Sequence, residues 1–245
     1  MKIRIFQKGF NFSQDGQGNR LVYHLQGCNM RCPWCANPEG ISAMENGNFS
    51  SQDYETDDIV NETVKSSPMF FGGGGITLTG GEPTMQFDAV RELFTKLKDK
   101  KIHTALETNG THPRLPGLFS IIDQLIMDFK HYDNTAHKKF TKITNQTTKA
   151  NILAAKEAKK PLLLRIPLIN SFNAGIDDIS GFKEFLTQAN FPGLSVELLT
   201  YHEFGKDKWQ KCGMEYTVKD GYVSAGRLKE FEKALSESGI KLIKT

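Results

Sequence analysis

Cysteine is scarce in this chain, with four in 245 residues. Cys28, Cys32 and Cys35 crowd together and Cys212 stands far downstream. A secreted disulfide scaffold would spread an even set of cysteines along a short chain, so metal binding or redox chemistry in a reducing compartment are the leading readings. No stretch approaches the about 18 consecutive apolar residues of a membrane span. The best candidate, Pro161 to Ile169, is interrupted by Arg165. The N-terminus, MKIRIFQKGF, lacks a long apolar h-region and so does not read as a secretory signal. The net charge of +3 is too small an excess to argue for nucleic acid. Internal repeats, low-complexity tracts and an interdomain linker are also missing. What is present is 38% hydrophobic residues, 17 Phe among them, with 24% charged residues. That balance supplies a sizeable core and excludes disorder as the main state. The expectation is one soluble, cytoplasmic domain over residues 1–245, without a membrane or nucleic-acid partner.

Short apolar runs alternate with helical periods. Strand-like segments fall at Leu21–Leu25, Ile76–Thr79, Ile102–Glu107, Gln124–Phe129, Leu162–Ile166 and Ser195–Leu199. Helical periods cover Asp53–Lys65, Phe87–Lys100, Thr147–Lys159, Ile176–Ala189 and Gly226–Ser238. Six strands alternating with helices imply parallel βαβ units with right-handed crossovers. Six is fewer than the eight of a closed barrel. The predicted fold is therefore α/β, a partial (β/α)6 TIM-like barrel open on one side, with Lys2–Phe6 as an added edge strand. A doubly wound sheet is the alternative.

In such folds ligands sit at the carboxyl ends of the strands. Cys28 follows the first strand, Gly80-Gly81-Glu82-Pro83 the second, and Glu107-Thr108-Asn109-Gly110 the third. Asp128 and Lys130 end the fourth, Arg165 lies late in the fifth, and His202 follows the sixth. The unusual polar groups thus share one rim. Gly80 and Gly81 allow a close backbone approach, because no Cβ intervenes. Gly72–Gly75 lacks the Lys-Ser/Thr of a phosphate loop and reads as a connection.

The segment GCNMRCPWCANPEG has a C-x3-C-x2-C spacing. Three thiolates on one loop suit three corners of an iron–sulfur cube and leave one iron open for chemistry. Zinc would need a fourth ligand such as Cys212 or His24. Cys32 to Cys35 alone resembles a dithiol redox motif, which leaves Cys28 unexplained. A purely structural cluster is a further alternative. Lysine pairs such as Lys138-Lys139 and Lys159-Lys160 read as solvated surface.

CNMRCPWC after the first strand with TGGEP after the second resembles the radical S-adenosylmethionine (radical SAM) superfamily. DGQGNRLVYHLQGC, ETNG, MDFK and LLTYHEFGKDKW extend the resemblance, over almost the whole chain, to the activating enzymes of glycyl-radical enzymes. The resemblance implies a 4Fe-4S cluster on Cys28, Cys32 and Cys35, whose open iron binds the amino and carboxylate groups of SAM. Reductive cleavage of the sulfonium then gives methionine and a 5′-deoxyadenosyl radical. It further implies cofactor-facing positions at Trp34, Cys35 and Ala36, at Gly80, Gly81 and Glu82, at Asp128, Phe129 and Lys130, and at Arg165 and His202. Glu107, Thr108 and Asp128 match positions that hold a monovalent cation, although the usual first acid is Asp rather than Glu. Asp15 matches a position that contacts the partner's glycine-bearing loop. The implied partners are a glycyl-radical enzyme and a flavodoxin or ferredoxin electron donor. Only Ile41–Gly75 separates the cluster loop from the second strand, without cysteine, which resembles the compact type lacking a ferredoxin-like insert. CPWCANPEG is closer to activases of glycyl-radical enzymes other than pyruvate formate-lyase. A radical SAM enzyme acting on a small molecule is the rival function, and a zinc-stabilised binding module the non-enzymatic one.

Overall fold

The computed structural model describes residues 1–12, 14–41 and 50–244. Part of the Ile41–Gly75 connection, residues 42–49, lies outside them. The first strand, β1 (Lys2–Phe12), pairs antiparallel with β2 (Asn19–Leu25) on one side and with β3 (Gln52–Glu55) on the other. Five strands then join in parallel: β4 (Gly75–Gly80), β5 (Thr104–Thr108), β6 (Gln124–Asp128), β7 (Leu162–Leu168) and β8 (Leu194–Thr200). The order across the sheet is β3-β1-β2-β4-β5-β6-β7-β8. From β2 to β8 spatial order follows chain order, with no reversal point. That excludes the doubly wound sheet, whose strand order reverses at its switch point. β3 and β8 are the two outer strands, so the barrel does not close on itself.

The helices are α1 (Thr56–Ser66), α2 (Phe87–Asp99), α3 (Asn134–Thr141), α4 (Gln146–Glu157), α5 (Asn170–Asn173), α6 (Ile176–Ala189), α7 (Lys206–Lys211) and α8 (Ala225–Ser236). In α2 the spacing of Phe87, Val90, Leu93, Phe94 and Leu97 makes one apolar stripe, and all five are buried. Burying each such side chain contributes about 1.5–3 kcal/mol. The stripe packs on Ile76, Leu78 and Leu106 of the sheet within one continuous core.

Two expectations need correction. Lys2–Phe6 is neither short nor at the edge: the strand runs to Phe12, and β3 covers its outer side. The predicted helix from Asp53 starts only at Thr56, because Gln52–Glu55 pairs with Lys2–Ile5. Backbone pairing with a distant strand outweighs a local acidic helix-start signal there.

Candidate active site

The chain ends of β2 and β4 are locked together. The Gly81 amide donates to the Leu25 carbonyl at 2.9 Å, and the Glu82 amide to the Gly27 carbonyl at 2.7 Å. Gly80 has φ +110°, and a Cβ there would lie 2.6 Å from the Leu25 nitrogen. At Gly81 a Cβ would lie 2.3 Å from the Gly27 carbonyl oxygen. These glycines therefore serve first to seat β4 against the chain entering the cysteine loop.

Glu82 is 1% exposed and acts as a strut. Its Oε1 accepts from the Thr84 amide at 2.9 Å and from the Thr108 hydroxyl at 2.6 Å, while Oε2 accepts from the Asn109 amide at 2.6 Å. Burial pushes its carboxyl up, against the downward pull of these hydrogen bonds. Glu82 thus ties the end of β4 to the end of β5, and its side chain is not on the cleft wall.

The cysteine loop is fixed from two sides. On one, Asn29 donates to the Thr111 hydroxyl at 2.8 Å and accepts from Asn109 at 2.8 Å. On the other, α7 grips the loop's exit. The Trp209 indole donates to the Cys35 carbonyl at 2.9 Å, and the Lys208 ammonium donates to Asn37 at 3.0 Å and Glu39 at 2.7 Å. Sequence reasoning passed over Trp209 and Lys208, although both stand in the quoted YHEFGKDKW stretch.

Cys28, Cys32 and Cys35 line one cleft of about 230 Å³. With them are Trp34, Ala36, Gly80, Gly81, Glu107, Thr108, Asp128, Lys130 and His202. The cleft also takes in Asn109 of the ETNG motif, together with Met30, Asn37, Thr79 and Pro167. Burial pushes the Cys28 and Cys32 thiols up to about 12, and raises Cys35 as well. Among the described residues, no three His, Cys, Asp or Glu groups converge tightly enough for a single metal ion. The donor set is therefore three soft sulfurs around a cavity, which fits a cluster better than lone zinc. Cys212 is buried at the end of α7, and His24 packs beside Phe6 at 5.7 Å; neither lines the cleft. Neither fourth ligand named for the zinc reading is therefore at the site.

Lys130 donates to Asp128 at 3.0 Å. Burial pulls the Lys130 ammonium down, but Asp128, Cys32 and Cys35 together outweigh it, so the group stays charged, above its ordinary value. A fixed cation thus faces the cleft beside the thiols. Trp34 forms a wall and also stacks toward Phe172 at 4.5 Å, so it lines the cleft and packs at once. His202 carries Phe204 against its ring at 4.3 Å, and burial lowers its pKa. The Phe129 side chain points away from the cleft, packing on Phe182 and Phe185 at 5.7 and 4.8 Å. Only its backbone stays at the strand end, donating to the Arg165 carbonyl at 2.8 Å.

Arg165 lies behind the cleft. Its Nη1 pairs with Glu107, its Nε donates to Glu197 at 2.9 Å, and its Nη2 donates to the Gln14 carbonyl at 2.6 Å. Glu107 also accepts from the Thr79 hydroxyl at 2.7 Å. The three groups expected around a monovalent cation are each engaged with protein: Glu107 with Arg165, Thr108 with Glu82, and Asp128 with Lys130. The guanidinium supplies a positive charge beside Glu107. Asp15 sits in the loop between β1 and β2, which folds into the barrel: its carbonyl accepts from Thr77 at 2.7 Å and its carboxylate from Asn11. Gly16, Gln17, Gly18 and Arg165 line a second cavity of about 430 Å³ there. The Glu107–Arg165 pair separates the two cavities.

Residues 22–182 match the Radical SAM superfamily. The 4-hydroxyphenylacetate decarboxylase activating enzyme of Clostridioides difficile strain 630 is 27% identical over 92% of this chain and 90% of its own length. That alignment spans 288 positions, more than the 245 residues here, so the relative carries insertions. The pyruvate formate-lyase-activating enzyme of Staphylococcus aureus strain USA300 is 31% identical over 84% of each chain. A solved domain of pyruvate-formate lyase-activating enzyme from Bacteroides vulgatus superposes with a TM-score of 0.58 at 26% identity, covering 70% of this chain and 98% of that one. With three thiols on the loop after β2 and a paired Asp–Lys across the cleft, this chain belongs to the radical SAM superfamily, whose members use a 4Fe-4S cluster and S-adenosylmethionine.

Proposed function

We propose that this protein is an activating enzyme that installs a radical on a backbone glycine of a glycyl-radical enzyme. The observation that carries the reading is the single cleft in which Cys28, Cys32, Cys35, Gly80, Gly81, Asp128 and Lys130 meet. Cys28, Cys32 and Cys35 would hold the cluster, leaving one iron for SAM. When bound, cluster and SAM together supply a 5′-deoxyadenosyl radical, at the cost of one electron from outside, with methionine as the other product. Lys130 neutralises the SAM carboxylate as a compact charge held in place by Asp128. The Gly80–Gly81 strand end offers backbone groups to the amino group. Trp34, Ala36 and His202 bound the nucleoside end of the cleft. Enclosure by these walls keeps the radical from water and holds it near its target.

The partner's loop would enter the open barrel, where the loop carrying Asp15 meets Arg165 through the Gln14 carbonyl. Hydrogen abstraction from the glycine Cα gives 5′-deoxyadenosine and a glycyl radical, which the two flanking amides stabilise. A reduced flavodoxin or ferredoxin is the implied electron source, and an anoxic cytoplasm the implied setting. Among the described residues no helix is long and apolar enough to cross a membrane.

The test starts with anaerobic reconstitution of the cluster and dithionite-driven cleavage of SAM. Reduced protein is then mixed with SAM and a candidate glycyl-radical enzyme, and followed by electron paramagnetic resonance. A glycine-centred doublet on the partner is expected. Deoxyadenosine production with no protein-based radical on any candidate contradicts the reading.

A further inference from the structure

The cysteine loop has two faces, and only the inner one is used above. Met30, Cys32 and Trp34 line the inner cleft, whereas the alternating residues Arg31 and Pro33 line a separate outer hollow of about 490 Å³. Its other walls include Phe140, Trp209, Lys139 and Lys142. The floor is bonded directly to the cluster-bearing residues. Arg31 donates to the Cys28 carbonyl at 2.7 Å, and the Trp209 indole donates to the Cys35 carbonyl at 2.9 Å.

The rim of this hollow is basic. Arg31, Lys139 and Lys142 line it and are all exposed. Arg31 is bonded to the carbonyls of Cys28 and Met30, Lys142 donates to the Lys139 carbonyl at 3.0 Å, and Lys139 stands over the Phe140 ring at 5.2 Å. Their charge is thus directed to backbone and ring rather than cancelled by carboxylates. Glu215 is the one acid on the hollow's wall among the described residues. An apolar centre of Pro33, Phe140 and Trp209 ringed by cations has the anatomy of a protein-docking patch for an acidic partner.

We propose that this outer face docks an acidic one-electron carrier protein of the flavodoxin kind, which delivers its electron through the back of the cysteine loop. The inference rests on the radical SAM reading and adds where the donor binds. In that reading SAM fills the inner cleft and the glycine loop fills the barrel. The outer face is then the side that stays open to a donor, with Arg31 and Pro33 flanking Cys32 and with Arg31 and Trp209 bonded to the Cys28 and Cys35 carbonyls. The donor loses one electron and the cluster gains it; no atoms are exchanged.

The experiment titrates a purified flavodoxin against the reconstituted protein by fluorescence anisotropy, at low and at high salt. Three proteins are compared: wild type, Lys139→Glu/Lys142→Glu, and Lys98→Glu/Lys100→Glu, whose charges lie at the opposite end of the strands. Reversing the two rim charges is expected to weaken flavodoxin binding about tenfold at low salt, with the difference shrinking as salt rises. The distant pair is expected to bind like wild type, and dithionite-driven SAM cleavage to be equal in all three. Unchanged flavodoxin binding by Lys139→Glu/Lys142→Glu overturns the proposal. So does a loss of affinity for the glycyl-radical partner or for RNA in place of flavodoxin. Failure of dithionite to drive SAM cleavage in wild type would instead remove the underlying reading, a result separable from the binding data.

Discussion

Individual side chains in this site fall into those that face the cleft and those that hold it in shape, and substitutions separate them. Replacing Cys28, Cys32 or Cys35 by Ala removes one of three sulfurs facing the cavity. Each variant is expected to lose its iron and its brown absorbance after reconstitution. Cys212→Ala is expected to keep both, because that thiol is buried at the end of α7. Lys130→Met removes the cation paired with Asp128 at 3.0 Å. A hydrogen bond to a charged group contributes about 1.5–3 kcal/mol, so SAM affinity measured by equilibrium dialysis should fall at least about tenfold. Glu82→Ala leaves the buried donors of Thr84, Thr108 and Asn109 without their acceptor. Urea unfolding of the metal-free chain should show a loss of about 3 kcal/mol or more. The cysteines, Gly80-Gly81, Asp128 and Lys130 were legible because their spacing and their places at strand ends are written in the chain. For Glu82 and Phe129 the side-chain direction is not legible in the sequence, for one reason. A motif names the residue beside a ligand, but the side chain's direction depends on the pleat and on neighbours far off in sequence, such as Thr108 and Phe182.

Elements with strong periodicity, such as α2 and the six parallel strands, could be read from sequence because each carries its own apolar pattern. The elements missed are those whose cause is tertiary. β3 has no apolar pattern and exists by pairing with β1. Helix α7 is six residues long, too short to stand alone, and is held by the bonds of Trp209 and Lys208 to the cysteine loop. Helix α3 was missed as well. It is capped by the Asp133 side chain on the Ala136 amide at 2.7 Å, and it presses His137 into the interior with 1% exposure. Burial lowers the His137 pKa to about 4, outweighing its hydrogen bond to the Ile143 carbonyl. Between pH about 6.5 and about 4 the unfolded chain therefore binds the proton that the folded chain refuses. Stability is full above that window and falls as pH drops through it, by about 3 kcal/mol once the lower limit is passed. Urea titrations of the metal-free protein at pH 7 and pH 5 are expected to show the decline, and His137→Gln to make it smaller, the remainder coming from His24, His103, His112, His131 and His202, whose pKa values burial also lowers.

At the scale of the molecule, the open sheet edges decide how the site is used. Because β3 and β8 are not joined, the sheet keeps an open side, by which the proposed partner segment would enter. The loop between β1 and β2 brings Asp15 and Gly16 inside, and the Glu107–Arg165 pair divides that space from the cleft of the thiols. The openness could be expected from a count of six parallel strands, since eight are needed for closure. The inward fold of the Gln14–Gly18 loop could not, because it depends on Thr77, Gln124 and Arg165, which come from three different strands. The central claim is that a radical made in the cleft takes hydrogen from a glycine of a partner protein. The most direct measurement uses a partner glycyl-radical enzyme prepared with α-deuterated glycine, incubated anaerobically with reduced protein and SAM, and mass spectrometry of the 5′-deoxyadenosine formed. The account predicts one deuterium in the 5′-deoxyadenosine for each radical installed; 5′-deoxyadenosine that accumulates beside the labelled partner without deuterium would contradict it.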